Sequence, residues 1–271
     1  MIRNGPLAYA FHALFIGFIL APLAIVCVVA FTPLGYIALP TDGLSLRWFV
    51  AILDNPRFLS AFWISIALGL VSSIVATALA IPAALAVARH RFPGRDTISA
   101  LLLSPLMIPH IVLGVSFLRF FSAIGMNGTF AGLVVGHVIV ILPFALRLVL
   151  SAATGMDPAI ERAAVALGAS RFTVFRRITL PLLLPGVISG WLLAFITSFD
   201  ELTMSVFIAS PSTTTLPVRM FLHIQDTIDP LVAAVSALLI FATLLVMLVL
   251  DRLVGLERLF VGRAHGGGDR K

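Results

Sequence analysis

Six long apolar runs constrain this chain more than any other feature. They cover about residues 9–32, 60–88, 98–122, 130–153, 185–209 and 231–254. Each is long enough for a helix to cross a ~30 Å hydrocarbon core, which takes ~20 residues. In lipid the backbone N–H and C=O groups must bond within the chain, and such a run does that as a helix. The expected fold class is an all-α membrane protein: six transmembrane helices in a single domain, 1–271. Composition agrees, with 60% hydrophobic and 11% charged residues, where a soluble domain carries roughly a quarter charged. The first run is too long for a signal peptide and lacks a clean small-x-small cleavage site, so it reads as a retained span.

Basic residues set the orientation, because loops facing the cytoplasm are enriched in them. With the N-terminus inside, the inner side holds fourteen: Arg3, Arg89, Arg91, Arg95, Arg147, Arg162, Arg171, Arg176, Arg177, Arg252, Arg258, Arg263, Arg270 and Lys271. The outer side holds four: Arg47, Arg57, Arg119 and Arg219. Both termini and the 157–181 loop are therefore expected in the cytoplasm. The formal charge of +6 is spread between apolar runs rather than gathered in one patch, which argues against nucleic acid as a partner. Cys27 is the only cysteine, which excludes an internal disulfide and a thiolate metal cluster.

The segment from Asp157 to Gly186 is the longest charged interval between strongly apolar regions. Asp157 and Pro158 read as an N-cap and a first-position proline. Ile160, Ala163, Ala164 and Leu167 recur at helical spacing, and Gly168 reads as a left-handed stop. Arg171, Phe172, Val174 and Phe175 begin a second short helix, and Pro181 and Pro185 are expected to break the chain after it. Such a segment does not make a globular core. It makes a docking elbow against the membrane, with a small-residue face free for a partner, where Gly168 and Ala164 should tolerate little bulk.

Other stretches carry weaker signals. Residues 44–54 read as an interfacial amphipathic helix with Trp48 as its aromatic anchor. The segment 210–230 reads as a loop that re-enters the membrane or meets an external partner, and the last residues as a flexible tail. Ser65, Gly69, Ser73 and Thr77 form a small-residue stripe, as do Gly128, Gly132 and Gly136; such stripes let helices approach closely in lipid. Pro82, Pro105, Pro109 and Pro143 interrupt the second to fourth runs, either as bends in moving helices or as tolerated kinks. His110 and His137 lie inside runs, where they are expected to pair with backbone or with each other; no histidine shows metal-ligand spacing. No metal site is expected, and no nucleophile, base and orienting acid are in view, so no catalytic residue is assigned. Lysine occurs once, as Lys271, and a phosphate-binding P-loop needs one within Gly-x-x-x-x-Gly-Lys-Ser/Thr.

Asp200 and Glu201 stand inside the fifth run. Charges are costly in a bilayer, so an intramembrane acidic pair is a functional candidate by default. Counting from Gly186, Asp200 lies ~21 Å along a continuous helix, or ~9 Å from the outer edge of the core. Adjacent helical residues point about 100° apart, so one carboxylate would face a pathway and the other a neighbouring helix. Both have hydroxyl residues at helical spacing, and spacing does not choose between them.

The elbow resembles the signature loop of the permease subunits of ABC importers. That family's pattern is Glu-Ala-Ala, three residues, Gly, nine residues, Ile-x-Leu-Pro. This chain has Ala163-Ala164, three residues, Gly168, nine residues, then Ile178-Thr179-Leu180-Pro181. Arg162 stands where the family usually has Glu, and Glu161 precedes it. Ser198-Phe199-Asp200-Glu201, residues 213–221 and residues 228–240 resemble the spermidine/putrescine branch. The resemblance implies a bacterial inner-membrane subunit with an ATPase-coupling loop at Glu161, Arg162, Ala163, Ala164, Gly168, Ile178, Leu180 and Pro181. It implies a second permease, two cytoplasmic ATPase chains that hold the ATP and Mg, and an extracytoplasmic solute-binding protein. This chain would carry no cofactor and no enzymatic activity of its own. Asp200 and Glu201 would line the pathway of a small cationic amine such as spermidine or putrescine. Another amine, an amino-acid derivative or an anion is the alternative solute. An anion path would prefer Arg or Lys near the midplane, where only carboxylates occur. An ion-coupled secondary transporter would suit the carboxylates and prolines, but would not need a docking elbow.

Overall fold

The structure is a computed structural model that describes residues 5–254. The expected tail and the basic residues at 3 and beyond 254 lie outside the described residues. Twelve α-helices occur among the described residues: α1 Pro6–Val29, α2 Arg47–Leu53, α3 Pro56–Arg89, α4 Arg95–Leu103, α5 His110–Ala123, α6 Phe130–Thr154, α7 Pro158–Ala166, α8 Arg171–Val174, α9 Leu180–Phe199, α10 Ser205–Ile208, α11 Leu216–Asp226 and α12 Leu231–Val254. No strand occurs among the described residues.

Four helices among the described residues are long and apolar enough to cross a membrane. They are α1, α3, α6, and the continuous helix Arg171–Phe199 that joins α8 to α9 through a π-turn at Phe175–Thr179. The third apolar run is not one straight helix. It is α4, a 3₁₀ turn at Ser104–Met107 and then α5, bent by 102° at the break. Pro105 and Pro109 flank the bend; proline offers no N–H to continue the ladder and pushes the residue before it out of the α region. Counted as one span, this bent pair makes a fifth, and α12 is apolar as well. Pro82 and Pro143 sit inside α3 and α6 without ending them.

The described residues form two compact units, one from residues 5–59 and 220–254, the other from residues 60–219. In the first, α12 packs against α1 and α2. Trp48 is not an interfacial anchor: it is buried, and its indole N–H donates to the Leu34 carbonyl at 3.2 Å. It holds the loop after α1, assisted by Ser45 N–H to Phe31 O at 2.8 Å and by the Phe31–Phe49 ring contact. Asp229 begins α12, accepting from Leu231 N–H at 3.0 Å and pairing with His223 Nε2 at 3.0 Å.

In the second unit α6 lies at the centre. Leu133, Ile141, Ala145, Leu146 and Val149 are fully or almost fully buried along it, and α9 packs along its length. That packing depends on two glycines of α9. A Cβ on Gly186 would fall 2.4 Å from Ala152 Cβ and 3.0 Å from the Leu148 carbonyl oxygen; one on Gly190 would fall 3.1 Å from the Ala145 carbonyl oxygen. The stripe on α3 is also a packing face. Ser65, Ser73 and Thr77 are buried with Leu68, Ala76 and Ala80, and Gly69 sits against the Phe195 ring. Ser65 accepts from Leu216 N–H at 2.8 Å.

Gly186→Val should therefore force α6 and α9 apart and cost about 1–3 kcal/mol, the usual scale of overpacking. Gly17, in α1, has no atom within 4 Å of a built Cβ, so Gly17→Ala should raise stability by about 0.5–1 kcal/mol. Thermal unfolding of the purified protein in detergent measures both; equal effects would reject the packing argument.

Candidate functional site

The elbow is built from local signals. Asp157 caps α7, its side chain accepting from Ala159 N–H at 2.8 Å, with Pro158 in the first turn. After α7, Gly168 takes φ +88°, and the N–H groups of Gly168 and Ala169 close onto the carbonyls of Val165 and Ala164. Nothing lies within 4 Å of a Cβ built at Gly168. Within this chain the constraint there is the sign of φ, as the left-handed stop expected at Gly168 requires. Ser170 caps α8, accepting from Thr173 N–H at 3.2 Å. Pro181 and Pro185 do not break the chain after α8. Pro181 falls in the first turn of α9, next to the π-turn, and Pro185 lies within the helix.

The elbow residues divide into two sets. Arg162, Ala163, Gly168 and Pro181 are exposed; Ala164, Ile178 and Leu180 are half-buried. Ile160, Val165, Leu167 and Phe172 are exposed apolar residues beside them, with Arg171, Arg176 and Arg177 exposed as well. Glu161 turns the other way. Its Oε2 pairs with Arg89 Nη1 at the end of α3, and its Oε1 accepts from the Thr179 hydroxyl at the end of the π-turn. Arg89 Nη2 also reaches Met156 Sδ at 3.9 Å. Sequence reasoning missed Arg89 and Thr179. No spacing rule links positions 72 and 18 residues from Glu161.

At the other end of α9 the acidic pair is not helical. The helix ends at Phe199, Asp200 is its C-cap, and Glu201 lies just beyond it. The two carboxylates are thus not neighbours on one helix face, although α9 is continuous from Gly186 to Phe199 and the ~21 Å counted along it to Asp200 holds. Asp200 is exposed, and its side chain has no hydrogen-bond or ion-pair partner among the described residues. Glu201 is 6% exposed. Its Oε1 accepts from Met204 N–H at 2.6 Å, and its Oε2 is 2.8 Å from His110 Nδ1.

His110 opens α5 immediately after the Pro109 break. The Glu201 contact therefore ties the break in one apolar run to the break in another. His137 holds the same turn from α6. It is fully buried, with Nδ1 2.8 Å from Ser198 Oγ and Nε2 3.0 Å from Ser205 Oγ. The two histidines pair with residues flanking the α9–α10 turn rather than with each other. Gly114 and Gly136 let α5 and α6 close on that turn, where a Cβ would meet Phe207 at 2.6 Å and Ile208 at 3.0 Å respectively. Beyond α10, the Ser210 and Thr213 hydroxyls donate to the Gly128 carbonyl at 2.8 and 3.2 Å.

Comparison with known proteins agrees with this architecture. Residues 76–256 match the family described as binding-protein-dependent transport system inner membrane component. The chain is 30% identical over 271 residues to the spermidine/putrescine transport system permease protein PotC of Shigella flexneri, covering 100% of this chain and 98% of that one. It is 31% identical over 232 residues to the putrescine transport system permease protein PotI of Escherichia coli strain K12, covering 83% and 82%. A chain in the crystal structure of a bacterial ABC transporter involved in the import of the acidic polysaccharide alginate superposes with a TM-score of 0.72 at 16% identity, covering 94% of this chain and 100% of that one.

His137→Leu should leave both serine hydroxyls unpaired and cost about 1–3 kcal/mol. Adding Ser198→Ala and Ser205→Ala to it should recover most of that loss, because replacing all partners removes the unsatisfied groups. Thermal unfolding of the single and triple variants checks this; additive losses would reject the network.

Proposed function

The chain belongs to the family of binding-protein-dependent transport system inner membrane components, and from that membership we propose a specific working arrangement. It is a permease subunit of an ABC importer and a multi-pass membrane protein. In the proposed arrangement it sits in a bacterial inner membrane as six spans: α1, α3, the bent α4–α5 pair, α6, α8–α9 and α12. Both termini and the elbow face the cytoplasm, in line with the distribution of basic residues. A second permease completes the pathway, two ATPase chains meet the exposed face of α7 and α8, and a solute-binding protein delivers the solute outside. The chain itself is not an enzyme; ATP and Mg belong to the partner ATPases.

The solute is a small cationic amine, most simply a polyamine such as spermidine or putrescine. The observation that carries this reading is the full-length similarity to PotC. Asp200 supports it as an exposed carboxylate with no side-chain partner among the described residues, at the end of α9 remote from the elbow. An exposed carboxylate offers a charge-assisted hydrogen bond to an ammonium. Glu201 has both oxygens engaged within the fold, so its part is to hold the turn that presents Asp200.

Spermidine uptake by the complex reconstituted in vesicles tests the assignment. Asp200→Asn should raise the half-saturating amine concentration about tenfold, equivalent to ~1.4 kcal/mol, with assembly intact. Glu201→Ala should instead lower the yield and melting temperature of the complex. Wild-type half-saturation in Asp200→Asn would remove Asp200 from the pathway, and absence of amine uptake by the wild-type complex would reject the solute class.

Orientation is tested separately. In a Cys27→Ala background, Ser170→Cys should be labelled by an impermeant thiol reagent only after the cells are permeabilised. Labelling in intact cells would reverse the topology.

A further inference from the structure

We propose that Glu161 is an internal latch of the elbow rather than a contact to the partner ATPase. Its ion pair with Arg89 and its hydrogen bond from Thr179 make α7 move as one body with the end of α3 and the start of α9. The inference rests on the importer-permease reading above and does not depend on which solute is carried.

Four observations lead to it. First, α7 has no buried residue. Apolar packing therefore does not fix it to the spans, and a displacement of α7 would be lost in its two turns unless polar contacts carried it. Among the described residues, Glu161 supplies the side-chain hydrogen bonds and the ion pair that join α7 to other elements. Second, both carboxylate oxygens point inward, each to a different element, while Arg162, one residue on and about 100° around the helix, is exposed. Within α7 itself, the exposed charge is that of Arg162.

Third, Thr179 is 3% exposed, so its hydroxyl needs an internal partner, and Glu161 is that partner. Thr179 closes the π-turn that joins α8 to α9. A π-turn departs from the regular i→i−4 ladder and is a natural point of bending. The bond from Thr179 to Glu161 braces this point from the side, so that motion of α7 bypasses the bend. Fourth, Arg89 is the last residue of the 34-residue α3, where a cation already suits the helix dipole. One guanidinium nitrogen meets Glu161 and another meets Met156 in the segment between α6 and α7. The latch thus gathers the chain before α7, α7 itself, the foot of α3 and the foot of α9. Arg162 does not substitute for Glu161, because it lies on a different face and carries the opposite charge.

The test uses the whole complex in vesicles, with the binding protein added. Two quantities are read: ATP hydrolysed per spermidine imported, and the stimulation of ATP hydrolysis by the binding protein, which needs no knowledge of the solute. Glu161→Gln, Arg89→Gln and Thr179→Val should each raise the ATP-to-solute ratio or reduce the stimulation at least about fivefold, the lower end of an allosteric coupling. The ATPase chains should still co-purify in wild-type amounts. The exchange Arg89→Glu with Glu161→Arg should restore most of the coupling, including in the case where a single variant does not assemble.

Three results would overturn the latch: single variants with wild-type ratio and stimulation, an exchange variant no better than the worse single, or loss of the ATPase chains from an otherwise assembled Glu161→Gln complex. The last would make Glu161 a docking contact. A wild-type complex whose ATP hydrolysis responds to the binding protein but which imports no spermidine would count against the amine reading alone, and the latch would then be judged by the stimulation.

Discussion

The need to satisfy backbone groups wherever a helix breaks inside an apolar layer governs most of this structure. Water is not there to take the freed N–H and C=O groups. The chain breaks helices twice in its apolar runs, at Pro109 and after Phe199, and each break is matched by side chains whose role no local sequence pattern reveals. Glu201 takes the Met204 N–H and meets His110 at the first residue after Pro109. His137 holds Ser198 before the second break and Ser205 after it. Ser210 and Thr213 donate to the Gly128 carbonyl, in a turn whose glycine has φ +72°.

Close approach is the second condition. Without a hydrophobic driving force between helices in lipid, contact area and hydrogen bonds must hold them together. Gly186 and Gly190 bring α9 onto the α6 backbone, and Gly114 and Gly136 bring α5 and α6 onto the α10 turn. Each of these glycines is fixed by what a Cβ would strike, whereas Gly168 has open space around it and is fixed by its dihedral alone. The same residue type thus serves packing in the spans and chain direction in the elbow. In α1 only 6% of the apolar window is buried.

The sequence made the all-helical class legible because apolar length is a direct physical requirement. It also made the start and stop of α7 legible, since Asp157, Pro158 and Gly168 act locally. It misled wherever the outcome depended on a residue far away. Trp48 carries every mark of an interfacial anchor, yet Leu34 offers a carbonyl that draws it inside. Asp200 and Glu201 lie in an unbroken apolar run, yet the helix stops at Phe199 because the next turn has its own partners in His110 and His137. Pro181 and Pro185 read as breakers, yet the helix Arg171–Phe199 continues past both, with the π-turn at Phe175–Thr179 just before Pro181. Glu161 and Arg162 are adjacent charges whose opposite fates depend on Arg89, 72 residues away.

One element connects the elbow to the carboxylate proposed for the solute pathway. α9 begins beside Thr179 in the latch and ends at Asp200, so its 20 residues carry ~30 Å of rigid rod between elbow and carboxylate. It is held along α6 by glycine contacts and at its far end by His137. Packed helices slide by small amounts but do not stretch, since protein interiors have low compressibility. A displacement at the foot of α9 therefore has few outlets. It must reach the Asp200 turn, shift α6 with it, or be absorbed in the π-turn at Phe175–Thr179. In the proposed latch, the bonds that Glu161 makes across that turn decide between the last outcome and the first two, and so link a short, unburied helix to the turn at Asp200.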